Sequence, residues 1–86
     1  MSYSLNWEAP CFEEVDALVA AGMPREPIRE AVRQIDNELQ TEPENKGHAL
    51  SEGLRRLDIP PFRAYFHVDT ANRVVNISLL HFQPNP

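Results

Sequence analysis

Apolar and polar residues alternate along two runs near the end of the chain, FRAYFHVD from Phe62 and RVVNISLLHF up to Phe82, with a short polar break between them. Alternation with period two marks half-buried strands, so the two runs are expected to zip into a hairpin. A turn at Asp69-Thr70-Ala71-Asn72 sets Val68 opposite Arg73, Phe66 opposite Val75, Ala64 opposite Ile77 and Phe62 opposite Leu79. Phe62, Ala64, Phe66, Val75, Ile77 and Leu79 then share one apolar face, because strand side chains point to alternate sides. The other face carries His67 with Val74, Tyr65 with Asn76 and Arg63 with Ser78. A slip of one residue would set apolar against polar on both faces, so the hydrophobic pattern specifies the pairing.

The chain before this hairpin predicts a strand, two helices and one more strand. Residues 3–7 (YSLNW) alternate in the same way, with Tyr3, Leu5 and Trp7 on one face. Pro10 suits the start of a helix, and Glu13, Glu14 and Asp16 follow early, where carboxylates favour the helix dipole. Phe12, Val15, Leu18 and Val19 fall on one helical stripe, and Gly22 is placed to end the helix. A second helix starts between Pro24 and Pro27, since proline is tolerated only in the first turn. Ile28, Val32, Ile35 and Leu39 form its buried stripe. Glu26 with Glu30 and Arg29 with Arg33 are like-charge neighbours, a surface suited to solubility rather than to ion pairs. Residues 42–48 are a polar connector, and residues 54–57 form the strand before Ile59-Pro60-Pro61, whose prolines mark an edge or a connection. Gln83-Pro84-Asn85-Pro86 is expected to fray. The fold class is α+β in the order β-α-α-β-β-β, a helical hairpin on one face of a mostly antiparallel four-stranded sheet, forming a single domain over residues 1–86.

Composition narrows the classes of function. With 86 residues, 42% hydrophobic and 24% charged, the chain is a small globular domain close to the lower size limit for an unaided core. The single cysteine, Cys11, forms no internal disulfide, which makes a reducing cytoplasm the natural compartment. The opening MSYSLNWEAP lacks a basic region followed by an apolar one, and no apolar run approaches the roughly 20 residues that cross a bilayer, so no membrane is expected. A net charge of −5 opposes nucleic-acid binding by the surface as a whole. Such binding requires the few basic residues to gather in one place.

The polar sheet face is where they gather. Arg63, Tyr65 and His67 lie in line on one strand with Asn76 and Ser78 beside them, and either Arg55 or Arg56 joins from the preceding strand, since neighbours point opposite ways. Arginine holds a phosphate through paired charge-assisted bonds, and histidine moves a proton near neutral pH. An ordinary solvated sheet face accounts for the same residues. His48, His67, His81 and Asp69 have no ligand spacing, and His67 and His81 fall on opposite faces in this register, so no metal is expected. The three glycines are not spaced as a phosphate-binding loop, and no cofactor is expected. Cys11 sits in the first turn of its helix without a histidine placed beside it, which favours a structural role.

Taken together, the element order, the helix ending Arg33-Gln34-Ile35-Asp36-Asn37-Glu38-Leu39, and the run LRRL, PPFRAYFHVD and RVVNISLLHF resemble the RelE/ParE toxin superfamily. Its members are the toxins of type II, plasmid-stabilising toxin–antitoxin pairs. The most specific part of the resemblance is Phe62-Arg63-Ala64-Tyr65, followed by an acidic turn and a V-V-x-I strand. The resemblance implies a cognate antitoxin as partner and, in the ribonuclease branch, cleavage of messenger RNA at the ribosome by attack of a 2′-hydroxyl on the adjacent phosphate. It would make Arg63, Arg56 and His81 catalytic, with Arg55, Tyr65, His67 and Ser78 binding substrate. His81-Phe82 resembles a His-Tyr ending with phenylalanine in place of tyrosine, and Glu52 lies near the acidic position of that branch. Another branch poisons DNA gyrase without nuclease residues, which leaves a gyrase inhibitor or a protein-binding module as the alternative function.

Overall fold

The computed structural model describes residues 2–83. Two helices, α1 (Ala9–Ala20) and α2 (Arg25–Leu39), lie against one face of a sheet formed by β1 (Ser4–Trp7), β2 (His48–Ala49), β3 (Leu54–Ile59), β4 (Phe62–Asp69) and β5 (Val74–Phe82). The sheet order is β1-β5-β4-β3-β2. β1 runs parallel to β5, and the other neighbours are antiparallel. The α+β class agrees with the sequence expectation. The described residues contain five strands rather than four, because part of the polar connector pairs with β3.

That extra strand depends on a close backbone approach. Gly47 has φ +66, and a Cβ placed on it would lie 2.1 Å from the Arg56 carbonyl oxygen. Only glycine lets the connector turn this near to β3, after which His48 pairs with Arg56 and Ala49 with Arg55. Pro43, in a short 3-10 turn at Pro43–Asn45 within the connector, is fully buried. Lys46 donates to the carbonyls of Glu38 and Thr41, each at 3.0 Å, and so satisfies backbone oxygens at the end of α2.

The helices follow local sequence rules with three departures. Pro10 stands in the first turn of α1. Gly22, at φ +97, closes the helix as Gly22 N–H donates to Val19 O and Met23 N–H to Leu18 O, the paired bonds of a Schellman cap. Because α1 begins at Ala9, its first turn holds no carboxylate, contrary to expectation. Its inward stripe keeps the expected Val15, Leu18 and Val19 but takes Cys11 in place of Phe12. Cys11 is buried, whereas Phe12 is 58% exposed. On α2, Ile28, Ala31, Ile35 and Leu39 are buried and Val32 packs at the margin of the core. The expected lack of surface ion pairs does not hold: Arg29 pairs with Glu26 at 3.6 Å and Arg33 pairs with Glu30, both one turn apart and exposed. Spacing of three residues supplies partners that spacing of four does not.

The core is one cluster between the helices and the covered sheet face, with Phe62, Phe66, Ile35, Leu39, Ile77, Leu80 and Val75 as its largest fully buried side chains. Of the expected frayed tail, residues 84–86 lie outside the described residues. Gln83 is half-buried and its N–H donates to Pro61 O at 2.6 Å. Among the described residues no helix is long and apolar enough to cross a membrane.

The role of Gly47 gives a direct test. Gly47→Ala forces a methyl group into backbone that has no room to yield, and is expected to cost at least ~2 kcal/mol, a fall of about 10 °C or more in melting temperature. Gly22→Ala meets nothing within 4 Å and should cost only the ~1 kcal/mol of an unfavourable φ. Equal melting temperatures for the two variants would refute the close-approach account.

Candidate functional site: the helix-free sheet face

The face of the sheet away from the helices is set by the β4–β5 ladder, whose register differs from the simple hairpin. Asp69 pairs with Val74, Val68 with Val75 and Phe66 with Ile77, a shift of two positions from the expected pairing. The turn starts one residue later because Asp69 organises it: its carboxylate accepts from Asn72 N–H at 3.1 Å and from Asn72 Nδ2 at 2.9 Å. Those bonds hold the Asp69 pKa below its ordinary value. Arg73 then takes φ +54, stacks its guanidinium 5.6 Å from the Tyr3 ring centroid, and leaves the strand. A shift of two preserves faces, so the core assignment of Phe66, Val75 and Ile77 survives it.

Between Tyr65 and Phe66 the register changes again. Tyr65 pairs with Leu79 while Phe66 pairs with Ile77, so Ser78 is an extra residue on β5. This is a β-bulge, and it reverses which residues of β5 point inward. Leu80 is buried and Leu79 is 41% exposed, the reverse of the sequence expectation. The physical reason is that strict alternation from Val75 and Ile77 would place Leu79 and His81 under the helices. The bulge instead buries Leu80, packs the Phe82 ring edge-on against Phe62 at 6.3 Å between centroids, and turns His81 to the outside. The Glu14 carboxylate accepts from Phe82 N–H at 3.2 Å and pins the end of the strand to α1. Adjacent Leu79-Leu80 followed by a histidine in the phase of Ile77 is the sequence signal for this slip.

As a result His81 stands directly opposite Arg63. Their Cβ atoms are about 5 Å apart by the geometry of opposed residues in an antiparallel pair. Arg56 pairs with Tyr65, Asp58 with Arg63, and His48 with Arg56, so all of these share the helix-free face. His67 pairs with Asn76 and Leu54 further along it. All three histidines of the chain therefore lie on this one face, including His67 and His81, which the expected register had separated. Among the described residues no group of three or more His, Cys, Asp or Glu side chains converges in a way that could hold a metal ion.

Not every expected site residue joins them. Arg55 pairs with the fully buried Phe66, so it lies on the helix side, where its Nε donates to Lys46 O at 3.0 Å. Ser78 spends its hydroxyl on Tyr65 O at 3.2 Å, inside the bulge. Glu52 precedes β3 near the Leu54–His67 pair, whereas Arg63 and His81 lie at the Asp58 end, roughly 13 Å further along the strand. Cys11 donates its thiol to Ile77 O at 3.3 Å, and burial pushes its pKa up, so it is a protonated core residue. The residue that sequence reasoning missed is Asp58. Its Oδ1 lies 3.0 Å from Arg56 Nε and 3.8 Å from Arg63 Nε. A recess of about 90 Å³ lined by Asp58, Pro60, Pro61, Phe62, Arg63 and Gln83 opens beside this cluster.

A second feature lies on the helical side. Val15, Val19, Ile28 and Val32 floor an open groove of about 500 Å³ between α1 and α2, with Arg25, Arg29, Arg33 and Asp36 along it. The three arginines are one helical turn apart, in a single row.

The bulge has a measurable consequence. Leu80→Ala is expected to cost ~2–5 kcal/mol, and Leu79→Ala less than about 1 kcal/mol. Thermal melting should therefore separate the two by at least about 4–8 °C. Strict alternation of β5 predicts the opposite order.

No family model matches the sequence, and no curated protein matches it. Among the solved structures that match the fold over nearly the whole chain are three from toxin–antitoxin systems. A chain of the toxin–antitoxin complex RelBE2 from Mycobacterium tuberculosis aligns with TM-score 0.81 at 15% identity, covering 99% of this chain and 95% of that one. One from the chromosomal ParDE system of P. aeruginosa gives 0.74 at 22%, covering 94% and 96%. One from the archaeal RelE–RelB complex of Pyrococcus horikoshii OT3 gives 0.71 at 16%, covering all of both chains. The chain thus has the α+β fold found in RelE and ParE toxin–antitoxin structures, the fold that its sequence resemblance implied.

Proposed function

We propose that the protein is the toxin of a toxin–antitoxin pair and that its helix-free sheet face binds RNA and cleaves it. The observation that carries this reading is the placement of His81 opposite Arg63, with Arg56 one strand further on the same face. Transphosphorylation of RNA forms a bond from the 2′-oxygen to phosphorus and breaks the bond to the 5′-oxygen. The 2′-hydroxyl loses a proton and the leaving oxygen gains one. Arg63 supplies charge to the phosphorane-like transition state, and His81 is the proton carrier beside it. Tyr65 and the exposed Leu79 form a flat strip next to this pair, suited to stacking an unpaired base.

A non-cutting toxin has one observation in its favour: Asp58 already engages both arginines. Expression of the chain alone, with messenger RNA breaks mapped, separates the readings. Cleavage with growth inhibition is expected, and Arg63→Ala should lower the cleavage rate by at least ~100-fold. Growth inhibition without breaks, unchanged in Arg63→Ala, would establish the non-cutting reading. No inhibition at all would remove the toxin assignment.

The antitoxin is proposed to lay an amphipathic, acidic helix in the groove between α1 and α2, with its apolar face on Val15, Val19, Ile28 and Val32 and its carboxylates toward Arg25, Arg29 and Arg33. Charge reversal at Arg29 and Arg33 to Glu should weaken capture of the protein encoded beside this one by about tenfold or more. Undiminished capture would place the antitoxin elsewhere.

A further inference from the structure

We infer that Asp58 is a built-in anion that fills the phosphate position between Arg56 and Arg63, so that this face accepts a nucleic-acid phosphate only by displacing it. The inference rests on the RNA-face reading and adds a residue that selects among phosphate ligands. Asp58 Oδ1 lies within 4 Å of both guanidiniums, and Oδ2 accepts from Arg56 Nη2 at 3.3 Å. The three side chains are partly exposed, at 26% for Arg56, 36% for Arg63 and 42% for Asp58, so the cluster is open to exchange.

The fit between carboxylate and guanidinium is imperfect. Arg56 Nε is a buried donor with no hydrogen bond of good geometry, although Asp58 Oδ1 is only 3.0 Å away. Asp58 lies two residues from Arg56 on the same strand, so its carboxylate meets the guanidinium from a tethered position that leaves Nε without a well-formed bond. A free phosphate oxygen has no such tether and can align with both N–H directions of an arginine. The recess of about 90 Å³ beside Asp58 and Arg63 has the volume of about three waters, room for the carboxylate or an incoming oxyanion to move.

Tethering also gives Asp58 a high effective concentration, so a single phosphate competes poorly with it. A strand of phosphates that gains further contacts along the face competes well. The device therefore selects a polyphosphate chain over inorganic phosphate and nucleotides, which matters in an acidic protein with only two fixed cations on this surface.

The test is binding of fluorescein-labelled single-stranded RNA by anisotropy over a range of salt, for the wild-type chain, Asp58→Asn, Arg63→Ala and the double variant. Asp58→Asn is expected to tighten binding by about tenfold and to steepen the salt dependence by ~0.7 in log–log slope, one additional phosphate neutralised on a single strand. Inorganic phosphate should compete measurably with RNA only in Asp58→Asn. The double variant should fall back to the level of Arg63→Ala. Thermal melting of Asp58→Asn should stay close to wild type, because the ion pairs are partly exposed and asparagine keeps an acceptor oxygen beside Arg56. Loss of binding in Arg63→Ala with unchanged or weaker binding in Asp58→Asn would overturn the inference and leave the RNA face standing. Binding that Arg63→Ala leaves unchanged would overturn the RNA face itself, and the inference with it.

Discussion

One extra residue in β5 decides what this protein can present to solvent. Up to Ile77 the strand points its odd-numbered residues at the helices, and beyond Ser78 it points its even-numbered ones. Without that change of phase, a histidine would be turned into the core under the helices, and Leu80 would face water. Burying an unpartnered imidazole and exposing a large aliphatic group both cost free energy, so the bulge is the lower-energy solution to the sequence ISLLHF. The same event that completes the core also delivers His81 to Arg63. Core packing and site assembly are here a single structural fact.

The distribution of positive charge follows a comparable logic. The chain holds eight lysines and arginines against thirteen acidic residues. Arg25, Arg29 and Arg33 line the groove between the helices, Lys46 and Arg55 are bound to backbone carbonyls, and Arg73 covers Tyr3. Arg56 and Arg63 alone remain for the helix-free face, and Asp58 lies between them. A surface this sparingly charged does not attract nucleic acid over long range. What such a surface can do for an anion rests on the placement of a few groups, so opposed pairs matter more here than net charge.

Much of this was legible in the sequence, for identifiable reasons. The α2 stripe Ile28, Ile35 and Leu39, the proline connection between β3 and β4, and the cap at Gly22 are local signals, and local signals survive folding. The two-residue shift of the hairpin was not legible, because the Asp69 side chain competes with the strand for the turn and a shift of two leaves the hydrophobic pattern intact. Cys11 replaced Phe12 in the core because the entry angle of α1 is set by Trp7 and by Glu8, whose N–H donates to Ile77 O, rather than by the helix's own periodicity. β2 is invisible to periodicity, being two residues long and made possible by Gly47. Arg55 and Ser78 were separated from the site by strand parity and by the bulge, both of which require the register before they can be read.

The resemblance to a His-Tyr ending acquires a different meaning in this light. Phe82 follows the bulge in the inward phase and packs on Phe62, so its ring belongs to the core margin. A phenylalanine there does not leave a gap on the helix-free face, since that position does not point at the face. Two of the three histidines on this surface are opposed to an arginine across a ladder, His81 to Arg63 and His48 to Arg56. His48 stands beside Arg56 at the sheet edge, and His67 faces Asn76. The Arg63–His81 pair spans β4 and β5, the two longest strands, with Asp58 next to Arg63 on β3, whereas the Arg56–His48 pair involves the two-residue edge strand β2.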